Sequence, residues 1–246
     1  MITFGDLSLG WGRGPKVVDR FRLGVPEGRI LTVLGPSGCG KTTLLKAVAG
    51  LIGPDTPGLD WEGTLSGLVP DQTAVIFQNL GLLPWKTVEQ NVELPLKWRG
   101  EPDRRTRVTE ALAEFGLTDH ARKWPAQLSG GLAQRTAIAR ALVLRPAVLL
   151  MDEPFSALDA LTREKAQHTL WQLGQAHSPT VMLVTHSVDE AAALGHRCAV
   201  LTGTLPGRLS GVFDLGWTDE APGDRRLESR FHDQTRALRA ALEAGE

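Results

Sequence analysis

Ile30-Leu31-Thr32-Val33-Leu34-Gly35-Pro36-Ser37-Gly38-Cys39-Gly40-Lys41-Thr42 is the stretch that decides the fold. Ile30 to Leu34 reads as a buried strand, and Lys41 to Leu51 reads as a helix. The loop between them fits G-x-x-x-x-G-K-[ST]. Its glycines let the backbone wrap closely, so that N–H groups point at phosphate oxygens. The helix that follows presents its positive end to the same anion. Lys41 is predicted to reach the β- and γ-phosphates of a nucleoside triphosphate, and Thr42 to place its hydroxyl on Mg²⁺. By average residue usage such a pattern arises by chance in a chain this long on the order of one time in a hundred. Its place between strand and helix therefore makes it a phosphate loop rather than an ordinary glycine turn. Cys39 reads as a small residue that the loop tolerates.

Working outward, short apolar runs at Thr73–Phe77, Ala147–Met151, Thr180–Val184 and Cys198–Leu201 alternate with helical patterns. That alternation predicts an α/β fold with a mostly parallel sheet covered on both faces. Between Ile52 and Leu68 the Gly and Pro positions predict turns and short irregular pieces. From about Trp85 to Ala126 there is little strand signal. Val108, Ala111, Leu112 and Phe115 fall at helical spacing on one face, which predicts a helical lobe inserted into the sheet's connections. Beyond about Thr218 the chain is charged, and Leu227, Phe231, Leu238 and Leu242 trace a thin stripe expected to form a final amphipathic helix that packs on the body.

Further polar groups fall at the ends of predicted strands, where open α/β sheets bind ligands. Ala147-Val148-Leu149-Leu150-Met151 leads into Asp152 and Glu153, suited respectively to hold Mg²⁺ through water and to polarise an attacking water. His186, after the run Val181–Thr185, is placed to hydrogen-bond a γ-phosphate. Gln78, after Phe77, is placed to meet the metal or the attacking water. His120, His168, His177, His196 and His232 read as structural. Leu128-Ser129-Gly130-Gly131 opens another helix with a turn able to hold an anion. Two phosphate-grade elements in one chain imply a site completed by a second copy.

Length and composition narrow the classes. A chain of 246 residues buries a substantial core as one large domain with room for a smaller lobe. A formal charge of −1 gives no reason to expect a nucleic-acid partner, and two cysteines are too few for a disulfide framework. Met1 to Asp6 lacks the basic-then-apolar pattern of a signal peptide, and no run of about 18 apolar residues suggests a membrane span. Any membrane role is expected to be peripheral.

Together the motifs resemble those of the nucleotide-binding subunit of an ABC transporter, over roughly Thr3 to Gly207. Gly35 to Thr42 matches the Walker A motif, Gln78 the Q-loop glutamine, Leu128 to Gly131 the start of the signature motif, and Asp152 and Glu153 the Walker B aspartate and catalytic glutamate. Ser156-Ala157-Leu158-Asp159 matches the D-loop, and His186 the switch histidine. The resemblance implies a P-loop NTPase (RecA-like) core, an N-terminal antiparallel β subdomain and an inserted helical subdomain at about 85–135. It implies an ATPase domain over 1–217 and a separate charged tail over 218–246. It also implies that ATP and Mg²⁺ are bound. Residues Gly35, Pro36, Ser37, Gly38, Cys39, Gly40, Lys41, Thr42 and Thr43 would hold the nucleotide, Trp11 would stack on its adenine, and Thr42, Gln78 and Asp152 would serve the metal. Two subunits of a homodimer or heterodimer would close head to tail. Ser129, Gly130, Gly131 and Asp159 would then serve ATP held by the partner. One position departs from the pattern: Leu132 stands where the family usually has Gln after Ser-Gly-Gly.

Leu82-Leu83-Pro84-Trp85 and Leu205-Pro206-Gly207-Arg208 are similar to importers of nitrate, sulfonate, taurine and related small anionic solutes. In such systems Leu82, Leu83 and Trp85 would line the socket for a membrane permease subunit; the alternative is that they pack within the helical lobe. The chain is expected to stop short of the regulatory β-barrel found in sugar-type importers. The resemblance places it peripherally on the cytoplasmic face of the inner membrane, with a solute-binding protein as an indirect partner and no nucleic acid. The competing readings are an exporter ATPase and a soluble ABC-type ATPase acting on nucleic acid or ribosomes.

Overall fold

The computed structural model describes residues 1–156, 158–218 and 220–244, of which 173–177 are described by backbone alone. In chain order the elements are β1 (Ile2–Trp11), β2 (Lys16–Val25), β3 (Ile30–Leu34), α1 (Lys41–Val48), β4 (Leu59–Ser66), β5 (Thr73–Ile76), α2 (Val88–Trp98), α3 (Arg104–Glu114) and α4 (Gly130–Leu142). The order continues with β6 (Val148–Asp152), α5 (Ala160–His177), β7 (Thr180–Thr185), α6 (Val188–Leu194), β8 (Arg197–Thr202), β9 (Gly207–Asp214), α7 (Pro222–Arg225) and α8 (Ser229–Glu243). They fall into two units, one made of 1–71 and 179–246 and the other of 72–178.

In the first unit seven strands lie in the order β4-β1-β2-β9-β8-β3-β7. β3 pairs in parallel with β7 and β8, and all five of its residues are buried. A strand covered on both faces is mostly apolar, and the one polar residue here, Thr32, donates its hydroxyl to the Arg197 carbonyl at 3.2 Å. β1 pairs antiparallel with β2 and β4, forming an antiparallel sheet at the N-terminal end. The segment 52–68, expected to be irregular, contains β4. Its side chains are mostly exposed and its pairing is supplied by β1, with Trp11 opposite Leu59. An edge strand with one partner and little burial needs no apolar run, so its sequence carries little signal.

The C-terminal segment packs on α6. Phe231 and Leu238 join Leu215, Trp217 and Ala191 to Ala193 in one buried cluster, with Leu242 partly buried against it. Leu227 instead is 85% exposed. It lies in the turn between α7 and α8, outside the helical register that aligns the other three. The Trp217 indole N–H donates to Ala192 O at 2.9 Å, and Arg225 Nη1 donates to Ala193 O at 2.9 Å. These two groups satisfy carbonyls that the end of α6 leaves without helical partners.

In the second unit β5 and β6 pair in parallel from Thr73↔Val148 to Ile76↔Met151. The rest is helical. Val108, Ala111, Leu112 and Phe115 are buried, as their spacing predicts. α2 opens with a capping box in which Thr87 and Gln90 satisfy each other's backbone N–H groups. Among the described residues no helix is long and apolar enough to cross a membrane.

Candidate functional site

The phosphate loop joins β3 to α1 in the first unit. Gly40 has φ 94°, and a β-carbon there would come within 2.7 Å of Val18 Cγ2, so only glycine fits between the loop and β2. As N-cap of α1 it brings no side-chain oxygen, and the first turn carries no acid. The cap therefore adds nothing that competes with an anion at the helix's positive end. Lys41 is buried, and its ammonium donates to the carbonyls of Gly35 and Pro36, both at 2.8 Å. Ser37 and Gly38 are exposed at the crest, and Thr42 and Thr43 are half-buried on the first turn of α1. The Cys39 thiol is wholly buried.

Sequence reasoning missed what backs this loop. Gly207, the first residue of β9, lies so close that a β-carbon would land on the carbonyl oxygen of Cys39. Arg208 beside it pairs with Asp19 at 3.4 Å. The Pro-Gly-Arg stretch thus has a structural reason: β9 starts where only a glycine backbone can pass the loop.

His186 follows β7 and is exposed. Its neighbour Thr185 accepts the Gly35 N–H through its backbone carbonyl at 3.3 Å, which ties the strand end to the start of the phosphate loop. Trp11 ends β1 and is 44% exposed. Of the histidines read as structural, His196 accepts the Ile30 N–H at 3.0 Å through Nδ1, and His168 lies beside Trp171 with ring centroids 5.6 Å apart. The side chain of His177 lies outside the described residues.

In the second unit Asp152 is the buried last residue of β6. Glu153 follows with φ 43°, a left-handed conformation that costs a non-glycine residue about 1–2 kcal/mol. Its carbonyl accepts from Ser156 Oγ at 3.0 Å and from Ser156 N–H at 3.3 Å, and these bonds hold the turn. Ala157 of the expected D-loop lies outside the described residues. Asp159 accepts the Thr162 N–H at 3.0 Å at the start of α5, and Thr162's hydroxyl and N–H hold its carboxyl below the usual range. No group of three or more His, Cys, Asp or Glu side chains able to hold a metal occurs among the described residues. Asp152 alone is still an oxygen ligand of the kind Mg²⁺ takes, since that ion keeps several waters and needs few protein carboxylates.

Ser129 caps α4, its Oγ accepting the Leu132 N–H at 3.4 Å, while Ser129 and Gly130 stay exposed. Beside them lies a cavity of about 250 Å³ whose lining includes Ser129, Gly131, Thr162 and two cations, Arg135 and Lys165. Gln78 is exposed in the turn after β5. Arg140 of α4 forks onto this turn, donating to Leu80 O at 2.6 Å and Gly81 O at 2.5 Å. Burial lowers the pKa of that guanidinium, yet it remains the cation that ties the glutamine's loop to the signature helix. Asn91 also went unassigned from sequence. Wholly buried, it donates to Leu83 O, Lys86 O and Thr87 O and accepts the Leu83 N–H, shaping the loop that presents Trp85 at 66% exposure. Leu82 and Leu83 are half-buried.

A strand, a glycine-wrapped loop with a buried lysine, and acidic and polar strand ends define a P-loop ATPase. The chain belongs to the ABC transporter family, whose model matches residues 18–156, and it is an ATP-binding subunit with ATPase activity. It is 46% identical to the aliphatic sulfonates import ATP-binding protein SsuB 2 of Rhodococcus jostii, over 96% of this chain and 91% of that one. It is 40% identical to the taurine import ATP-binding protein TauB of Rhizobium johnstonii, over 96% and 92%. Among solved structures it resembles a bacterial ABC transporter cassette determined as a dimer, with TM-score 0.73 and 30% identity over 89% of this chain and all of that one.

Proposed function

We propose that this chain powers import of a small anionic solute of the sulfonate, taurine or nitrate kind, acting as one of two ATP-binding subunits docked on membrane permease subunits. The importer reading is favoured over the exporter and nucleic-acid readings by the relatives, which are named as import proteins. The subunit sits peripherally on the cytoplasmic face of the membrane, and a solute-binding protein supplies the permease. The ATPase domain spans 1–217, with its helical subdomain at about 85–135, and 218–246 forms an appended tail.

In this reading Gly35 to Thr43 hold the triphosphate and Trp11 stacks on adenine. Thr42, Asp152 and Gln78 would hold Mg²⁺, which when bound would supply positive charge to neutralise the triphosphate. Glu153 takes a proton from water as the water oxygen bonds to the γ-phosphorus. The bond from phosphorus to the bridging oxygen breaks, and ADP and phosphate leave. His186 hydrogen-bonds the γ-phosphate. Ser129, Gly130 and Gly131 donate to the ATP of the partner subunit, Asp159 faces the same partner, and closure is driven by the anion these donors gain.

The observation that carries the reading is the Lys41 ammonium held inside a loop that tolerates only glycine at position 40. The test is co-expression with candidate permease and solute-binding partners, reconstitution in vesicles, and an uptake panel of sulfonates, taurine, nitrate and a sugar. ATP-dependent uptake of one of the anions is expected. Uptake of the sugar alone, or outward movement, would overturn the solute class or the direction.

A further inference from the structure

We infer that Glu190, acting through Thr185, is the positioning residue that sets His186 relative to the phosphate loop. The inference rests on the reading of His186 as the γ-phosphate sensor. His186 sits at a corner where β7 turns into α6, and its side chain is exposed, so burial does not fix it. Its neighbours on both sides are fixed by hydrogen bonds. Thr185 Oγ1 donates to Glu190 Oε2 at 2.7 Å and accepts the Ser187 N–H at 3.0 Å. Ser187 Oγ accepts the Glu190 N–H at 3.3 Å, and Ser187 O accepts the Ala191 N–H at 3.0 Å. Through its carbonyl the same Thr185 accepts the Gly35 N–H of the phosphate loop.

This is more than a helix cap. In a capping box the acid three residues into the helix returns to the N-cap backbone N–H. Here Glu190 occupies that third position, with Ser187 as N-cap, but its carboxylate passes over the N-cap and grips the strand's last hydroxyl. The Ser187 N–H it would have taken goes to Thr185 instead. The bonds thus bracket His186 and run on to Gly35. Glu190 is only 5% exposed, and a carboxylate is kept in such a place by charge-assisted hydrogen bonds such as the one from Thr185.

The test is steady-state ATP turnover by the full chain. Thr185→Val keeps the shape and removes the hydroxyl. It is expected to lower kcat about tenfold with KM for ATP within about twofold, the pattern of a group acting in the transition state only. Thr185→Ser is expected to restore kcat, and in a His186→Ala background Thr185→Val should change nothing further. Normal kcat in Thr185→Val, no rescue by Ser, or losses that add in full to those of His186→Ala would overturn the strut. If circular dichroism shows Thr185→Val unfolded, Glu190→Gln decides. It keeps an acceptor but loses the charge, so kcat should fall about threefold at constant KM, and an unchanged kcat overturns the proposal. Normal turnover in His186→Ala would remove the histidine reading and the strut with it. An impaired His186→Ala beside a normal Thr185→Val would remove the strut alone.

Discussion

Glu153 shows how one residue's backbone can serve its side chain. Its φ of 43° is held by two bonds from Ser156, so the carboxylate leaves the end of β6 in a direction that an extended residue would not take. Glu153→Gln keeps that geometry and removes the proposed base. It is expected to bind ATP, to lose at least about a hundredfold in phosphate release, and to accumulate as a closed dimer on gel filtration with ATP. Ordinary turnover would remove Glu153 from the chemistry. Cys198 gives a second prediction. Burial pushes its thiol up to about 12, so the folded chain keeps a proton that the unfolded chain releases near 9. In that window the folded state binds more protons. The thiol's contribution to stability is whole below pH 9 and is lost as pH rises towards 12. Urea midpoints of Cys198→Ala should therefore fall less between pH 8.5 and 10.5 than those of the parent chain, and parallel slopes would contradict this.

Among the elements, the readable ones were those whose environment dictates composition. β3, β6 and β7 are buried along their whole length, so each is a mostly apolar run, and β6 and β7 end on a polar residue, Asp152 and Thr185. β4 and β9 carry many exposed or half-exposed residues and take their pairing from neighbours, so nothing local marks them. The candidate site divides the same way. Phosphate-loop and strand-end residues stand out by spacing, whereas Gly207 and Arg140 act on backbone groups distant in sequence, a relation no spacing records. On α4, Leu132 cannot make the polar contacts that glutamine would make. Its N–H is already used by the Ser129 cap, and its side chain is half-buried, so the helix start does not depend on it. Leu132→Gln is therefore expected to change ATP turnover by no more than about threefold, since only side-chain contacts differ. A switch from no activity to robust activity would mean that the departure controls the site.

At the scale of the whole molecule, coupling to a membrane partner needs an exposed anchor on a firm base. Trp85 fits, because Asn91 holds its loop by four hydrogen bonds. Aromatic anchors of this kind contribute about 2 kcal/mol or more to an interface. Trp85→Ala should shed the permease subunits in detergent gel filtration and lose solute uptake in vesicles; full retention would assign the socket elsewhere. The discontinuity of the first unit bears on how the protein is born. β3 lies at residues 30–34, while the strands on either side of it, β7 and β8, lie within 180–202. Ribosomes add about 5–20 residues per second, so the phosphate loop waits roughly 7–30 s for the sheet that shapes it. During that interval ATP has nothing to bind. The nucleotide stabilises this chain only once residues 180–202 have emerged from the ribosome, which makes nucleotide capture a late step in its maturation.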